Sequence, residues 1–214
     1  MALSTWTLFA LISLATAFSP GPSVLLAISN SIASGPWRAL FSSAGNAVGV
    51  FVVSGAAITG LGLLLQASAL AFAALKLLGA GYLIYLGIRQ WRSDKNIFKQ
   101  SAEATTGADA GASRLKLFLH GLLVSTTNPK SILFFTALFP QFMSPETGHA
   151  GLFLLLTGTF SACTIVSHLS YVYLAGTMKS WFSTPGRARH FNRVSGLTFI
   201  GLGVGMLKLR PSAT

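Results

Sequence analysis

Two lysines stand inside long apolar stretches of this chain: Lys76, in Leu75-Lys76-Leu77-Leu78, and Lys130, directly after Asn128-Pro129. An ammonium at the centre of a membrane helix costs about 2.5–3.5 kcal/mol on insertion scales, so a lysine kept there is expected to use its charge. The four acids, Asp94, Glu103, Asp109 and Glu146, all fall in polar loops, and neither lysine has a carboxylate partner at depth. An anionic group from outside the chain, such as a substrate carboxylate, is the partner this chemistry asks for. Two backbone breaks accompany the lysines. Ser19-Pro20-Gly21-Pro22 and Asn128-Pro129-Lys130 each interrupt an apolar run, and proline there removes a backbone donor and clashes with the preceding turn. Lipid cannot satisfy the freed carbonyls and amides, so breaks of this kind are buried or line a cavity. The candidate binding residues are therefore Pro20, Gly21, Pro22, Asn46, Lys76, Asn128, Pro129 and Lys130. The prolines and Gly21 expose backbone, the lysines neutralise a carboxylate and the asparagines supply hydrogen bonds. His120 and His168 are candidates for a weak proton relay, although structural hydrogen bonding is the simpler role for both and His120 lies near the inner boundary.

The elements that hold these residues follow from composition and charge. Of 214 residues, 52% are hydrophobic and only 9% charged, against roughly 25% charged in a soluble domain, so the chain is expected to be an integral membrane protein. A bilayer core needs roughly 20 apolar residues per helix, and six stretches qualify: Thr5 to Ile28, Ala39 to Leu65, Ala67 to Ile88, Leu115 to Phe139, Gly151 to Ala175 and, shortest, Val194 to Leu207. Leu8 to Leu14 followed by Ala15-Thr16-Ala17 imitates a signal peptide, but no Lys or Arg precedes Arg38 and the apolar run continues, so a retained span is expected. The loops after spans one, three and five carry eleven basic residues, while the opposite side carries only Lys208 and Arg210. The positive-inside rule then places both termini outside the cytoplasm. Ser93 to Ser113 reads as a flexible cytoplasmic linker between repeat 1 (about 1–92) and repeat 2 (about 114–214). The two breaks fall at matching places in the first span of each half. The expected fold is thus a single all-α transmembrane domain of six helices, arranged as two inverted three-helix repeats with helices one and four broken, the pattern that marks a transporter's midplane site.

Small residues are expected to mark helix contacts: Gly79, Ala80 and Gly87 on the face of Lys76, Gly45 and Gly49 around Asn46, and Gly201 and Gly205 at the same spacing. An intramembrane enzyme would need a buried acid or a nucleophile–base pair, and the sequence supplies neither. Cys163, His168 and His120 lack metal-ligand spacing, so no metal or other cofactor is expected, and one cysteine excludes an intrachain disulfide. The net charge of +11 belongs to loops facing anionic lipid rather than to nucleic-acid binding. Partners are the lipid bilayer and a small amino-acid-like substrate; a homo-oligomer is allowed.

Ser19-Pro20-Gly21-Pro22, the run from Leu75 through Gly87, and Thr127-Asn128-Pro129-Lys130 through Phe139-Pro140-Gln141-Phe142 together resemble the LysE/RhtB superfamily of bacterial amino-acid exporters. The likeness covers nearly the whole chain and is strongest to the RhtB branch, exporters of homoserine, homoserine lactone and threonine. The resemblance implies six spans, a place in the bacterial inner (plasma) membrane and efflux driven by proton exchange. Branch members often carry a histidine in span two and an aspartate in span five. Here those regions read Val50 to Ser54 and Cys163-Thr164, so no proton carrier is transferred from them. The expected function is secondary export of a small neutral amino acid or close derivative by proton antiport. The alternative is another substrate of the same superfamily, a metal cation or a leucine-like amino acid.

Overall fold

The computed structural model describes residues 3–19, 21–67, 69–94, 112–143, 149–181 and 184–208, and every regular element among them is helical. Helices α1 (Leu3–Phe18) and α2 (Pro22–Ser34) are bent by 52° across the first proline cluster. Pro20 itself lies outside the described residues. Gly21 is the extended N-cap of α2 and Pro22 its first residue, the position where a missing N–H costs nothing because no helical acceptor faces it. A single residue, Gly35, then joins α2 to α3 (Pro36–Ala67). Its φ of +84° lies in the region where a side chain would be strained, and this lets the chain reverse within one residue.

Helix α4 (Ala69–Trp91) is next in the chain. Of the expected linker, residues 95–111 lie outside the described residues, and Arg38 Nη2 donates to the carbonyl of Ala112 at its far end. The second broken helix comprises α5 (Arg114–Thr127), α6 (Pro129–Leu133), a π turn over Phe134–Leu138 and a 3-10 turn over Phe139–Phe142. Helices α7 (His149–Trp181) and α8 (Pro185–Lys208) complete the bundle. Two of the described helices are by themselves long and apolar enough to cross a membrane, over Pro36–Thr59 and Ala150–Leu174, and the bent α1–α2 pair makes a third. The other expected spans do not meet that measure. Helix α5 has only 14 residues before its break, and α8 begins at Pro185 rather than near Val194, so that Arg187, Arg189 and Arg193 are helical rather than loop residues. Large side chains such as Leu11, Leu78, Leu123 and Leu154 are 58–70% exposed on the outside of the bundle, a surface suited to acyl chains rather than water.

The helix directions can be read from the contacts. Along α1 and α7, Trp6 Nε1 donates to Thr159 Oγ1, Ser167 Oγ to the Ala17 carbonyl and Tyr171 OH to the Phe18 carbonyl. The partners stay 150–153 residues apart, so the two helices run parallel. Helices α3 and α5 also run parallel and touch through backbone. A Cβ on Gly45 would stand 1.9 Å from the Phe118 carbonyl oxygen, and one on Gly121 would stand 1.9 Å from that of Ser42. The packing role expected of Gly45 and Gly49 therefore holds, as does that of Ala80 and Gly87, which meet α8 at Gly203 and Gly196 in an antiparallel crossing. Gly201 and Gly205 do not share it; both face open space, because α8 turns its Gly196 and Gly203 face to α4.

Away from the proline breaks the core is aromatic. Phe9, Phe134, Phe135, Phe139, Phe142 and Phe160 are all buried, and their rings pack at centroid distances of 4.3 Å for Phe134–Phe160 and 5.0 Å for Phe9–Phe142. Mostly edge-to-face pairing of this kind adds about 0.5–1.5 kcal/mol per pair beyond area burial. It closes the end of the bundle that holds the first half of α1.

Candidate functional site

A helix that stops inside a bundle leaves its last four carbonyls without intrahelical donors. In α1 the Ala15 carbonyl still accepts from Ser19 N, and the next four, those of Thr16, Ala17, Phe18 and Ser19, need partners from elsewhere. All four find one. Lys130 Nζ donates to the Thr16 and Ser19 carbonyls, both at 2.8 Å, Ser167 Oγ donates to Ala17 at 2.8 Å, and Tyr171 OH donates to Phe18 at 2.7 Å. The lysine beside the second break thus caps the helix that ends at the first. Its charge also meets the negative end of the α1 dipole, a favourable placement for a cation.

The breaks are tied a second time. Asn128 is the N-cap of α6, its Oδ1 accepting from Lys130 N at 3.0 Å, while its Nδ2 donates to Ser23 Oγ in the first turn of α2 at 3.0 Å. One asparagine side chain therefore both starts α6 and holds α2 against it. The N-cap of α2, Gly21, has no side chain to offer and α2 has no side-chain cap, so the positive end of its dipole is unscreened. A Cβ on Gly21 would lie 3.4 Å from Lys130 Nζ, which shows how closely the ammonium approaches that end.

Gly21, Pro22, Asn128, Pro129 and Lys130 line a cavity of about 470 Å³ together with Leu25, Tyr82, Leu86, Arg89, Gln90, Ser93, Asn192 and Phe199. It extends to the C-terminal end of α4, where Gln90 Nε2 donates to Asn192 Oδ1 at 2.8 Å and Asn192 Nδ2 to the Ser93 carbonyl at 2.9 Å, fastening α4 to α8. Its charged lining is entirely basic, Arg89 and Lys130. An ammonium has three N–H donors. Lys130 spends two on α1 and the third meets no described group, leaving one for an acceptor in the cavity.

The structure thus brings together Gly21, Pro22, Asn128, Pro129 and Lys130. The side chain of Lys76, on α4, and the whole of Pro20 lie outside what is described. Asn46 is not with the others: it is buried on α3 away from the cavity lining, and its Oδ1 has no partner among the described groups. Neither histidine is among the residues that line the cavity. His168 is buried with Nδ1 3.3 Å from Ser43 Oγ, whereas His120 is exposed on α5. The α4 wall was missed from sequence, although Tyr82, Leu86 and Arg89 recur at i, i+4 and i+7 and so fall on one helical face.

A helical bundle with an apolar exterior, whose interrupted helices meet at a polar cavity, has the build of a membrane transport protein. Comparison with known proteins gives the family. Residues 14–209 match the LysE type translocator family, and the chain belongs to it, a family of transport proteins and not of enzymes. It is 34% identical to a homoserine/homoserine lactone efflux protein of Salmonella typhimurium over 98% of this chain and 99% of that one. It is 31% identical to an uncharacterized membrane protein of Vibrio cholerae over 95% and 97% of the two chains. It is also 26% identical to the Bacillus subtilis membrane protein YrhP over 86% and 90%. No solved structure matches it.

Proposed function

We propose that this translocator exports small neutral amino acids or close derivatives, of the homoserine, homoserine lactone and threonine kind, across the bacterial inner membrane by proton antiport. The observation that carries this reading is the remaining N–H of Lys130, set beside the uncapped start of α2 in a cavity whose charged lining is basic. A carboxylate fits that combination of a cation and a helix N-terminus, and a second ammonium, as in lysine, finds no acid among the lining residues. The names of the Salmonella relatives support the same substrate class.

In this reading the chain crosses six times, as two inverted repeats with both termini outside. Alternating passes require spans one and five to run parallel, two and four parallel, and three and six antiparallel. The α1–α7, α3–α5 and α4–α8 contacts have those directions. The cavity then faces the cytoplasm at its Arg89 end, and the phenylalanine cluster seals the outer side. Gly21, Pro22, Asn128, Pro129 and Lys130 contact substrate. Pro20 and Lys76 are assigned to the same site on the sequence, and Asn46 is reached only after rearrangement. His168, buried between α7 and α3, carries the proton.

Uptake into inside-out vesicles tests the proposal with homoserine, threonine, leucine, lysine and a divalent metal, with and without an acidic lumen. Gradient-dependent uptake of homoserine and threonine, absent from Lys130→Met vesicles holding the same amount of folded protein, is expected. Preference for lysine or the metal, or indifference to the gradient, would overturn it.

A further inference from the structure

Four arginines near the cytoplasmic loops of this reading are already engaged. Arg189 Nε pairs with Asp94 at 2.7 Å, Arg193 lies over the Trp91 ring at 5.8 Å, Arg114 lies over Phe41 at 5.4 Å, and Arg38 donates to the Ala112 carbonyl. Arg89 differs: it lines the cavity and makes no hydrogen bond or ion pair with a described group. It is exposed, on the same helical face as Tyr82 and Leu86, and about 10 Å along α4 from Tyr82 at ~1.5 Å per residue. The neighbouring Gln90–Asn192–Ser93 bonds fix the backbone that carries it.

We infer that Arg89 is a specificity-determining residue at the cavity mouth, where it captures the carboxylate of an incoming amino acid and hands it inward to Lys130. The inference rests on the proposed export function and goes beyond it by assigning carboxylate selection to a residue outside the two breaks. The two cations suit different steps. A guanidinium presents a planar fork that grips both oxygens of a carboxylate. Lys130, with one donor left, holds a single acceptor oxygen, which a carboxylate or an ester carbonyl supplies equally well. Arg89 therefore distinguishes homoserine, which carries a carboxylate, from its lactone, which carries the same ammonium and an ester in place of the carboxylate. Lys130 does not.

The test compares homoserine and homoserine lactone uptake in inside-out vesicles bearing wild-type protein, Arg89→Gln and Arg89→Lys, normalised to folded transporter. A charge-assisted bond contributes about 1.5–3 kcal/mol, so Arg89→Gln is expected to raise the KM for homoserine on the order of 10- to 100-fold. Its kcat, and both constants for the lactone, should stay within about twofold of wild type. Arg89→Lys recovers part of the homoserine KM. Wild-type homoserine uptake weakens with added salt, as expected for an exposed charge, and Arg89→Gln loses that dependence. If both substrates shift together, Arg89 acts on insertion or on lipid and the assignment fails. If neither shifts, it also fails. Wild-type vesicles that move neither compound would instead remove the export reading itself, and this assignment with it.

Discussion

Removing the three side chains that cap α1 one at a time measures how that end is held. Ser167→Ala leaves the Ala17 carbonyl without a donor, Tyr171→Phe leaves that of Phe18, and Lys130→Met leaves both Thr16 and Ser19. A buried acceptor stripped of its partner costs about 1–3 kcal/mol. The single-carbonyl variants should therefore each lose about 1–3 kcal/mol and Lys130→Met about 2–6 kcal/mol, before any gain from no longer burying a cation. The four carbonyls are consecutive, so combined variants should depart from additivity by more than the usual ~0.5 kcal/mol. Reversible unfolding of the purified protein in mixed micelles with increasing dodecyl sulfate reads these differences. Vesicle uptake provides the second axis: Ser167→Ala and Tyr171→Phe keep the cavity cation and retain transport, whereas Lys130→Met does not. Additivity of Lys130→Met with Ser167→Ala and with Tyr171→Phe to within ~0.5 kcal/mol would show that the lysine does not hold the end of α1 with them.

Gly45→Leu and Gly121→Leu should each prevent α3 and α5 from meeting, since even a Cβ would stand 1.9 Å from a carbonyl oxygen, while Gly201→Leu faces open space and should fold normally; size-exclusion profiles from detergent extracts separate the cases. Asn128→Ala removes a helix cap, typically worth about 1 kcal/mol, together with the bond to Ser23, whereas Asn128→Asp should keep the cap and accept from the Ser23 hydroxyl instead of donating to it, a difference resolved by the same unfolding titration. His168→Gln keeps hydrogen-bonding capacity toward Ser43 but cannot carry the proton, so uptake should persist down a substrate gradient and stop responding to an acidic lumen. Gly21→Val should lower apparent substrate affinity without unfolding the protein, because its methyls would stand between Lys130 Nζ and the cavity; concentration-dependent uptake gives the KM.

The sequence showed the breaks but not what closes them. Proline and glycine at Gly21, Pro22 and Pro129 carry a backbone instruction in their chemistry, and the helices are interrupted where those residues stand. Gly45 and Gly49 likewise packed as their spacing predicts. The start of α8 was hidden because Arg187, Arg189 and Arg193 interrupt hydropathy without interrupting helix, long cationic side chains being able to reach water from a buried stem. Asn46 shows the opposite limit: its type suggested a ligand contact, yet no described residue of α3 lines the cavity, and α3 gives the Gly45 side to α5.

Lys130 carries the largest difference. Read by residue types it is a buried cation without a counter-charge, since a search for partners runs over side chains. Its partners are the carbonyls of Thr16 and Ser19, which every residue possesses and which become available only because α1 ends there. Two features visible separately in the sequence, a surplus ammonium and a severed helix end, thus satisfy each other across 111 and 114 residues of chain. That pairing bears on transport. A substrate carboxylate that draws on the ammonium weakens what holds α1 against α6, so loading the site and loosening the two broken helices draw on the same charge. A ligand shifts a conformational equilibrium only through contacts that differ between states, and Lys130 supplies one. On this argument a saturating carboxylate substrate should raise hydrogen exchange at the amides of the last turn of α1, that of Ser19 included, whereas an amino alcohol of the same size, which has no carboxylate, should leave it unchanged; equal exchange with both would separate binding at Lys130 from movement of the break.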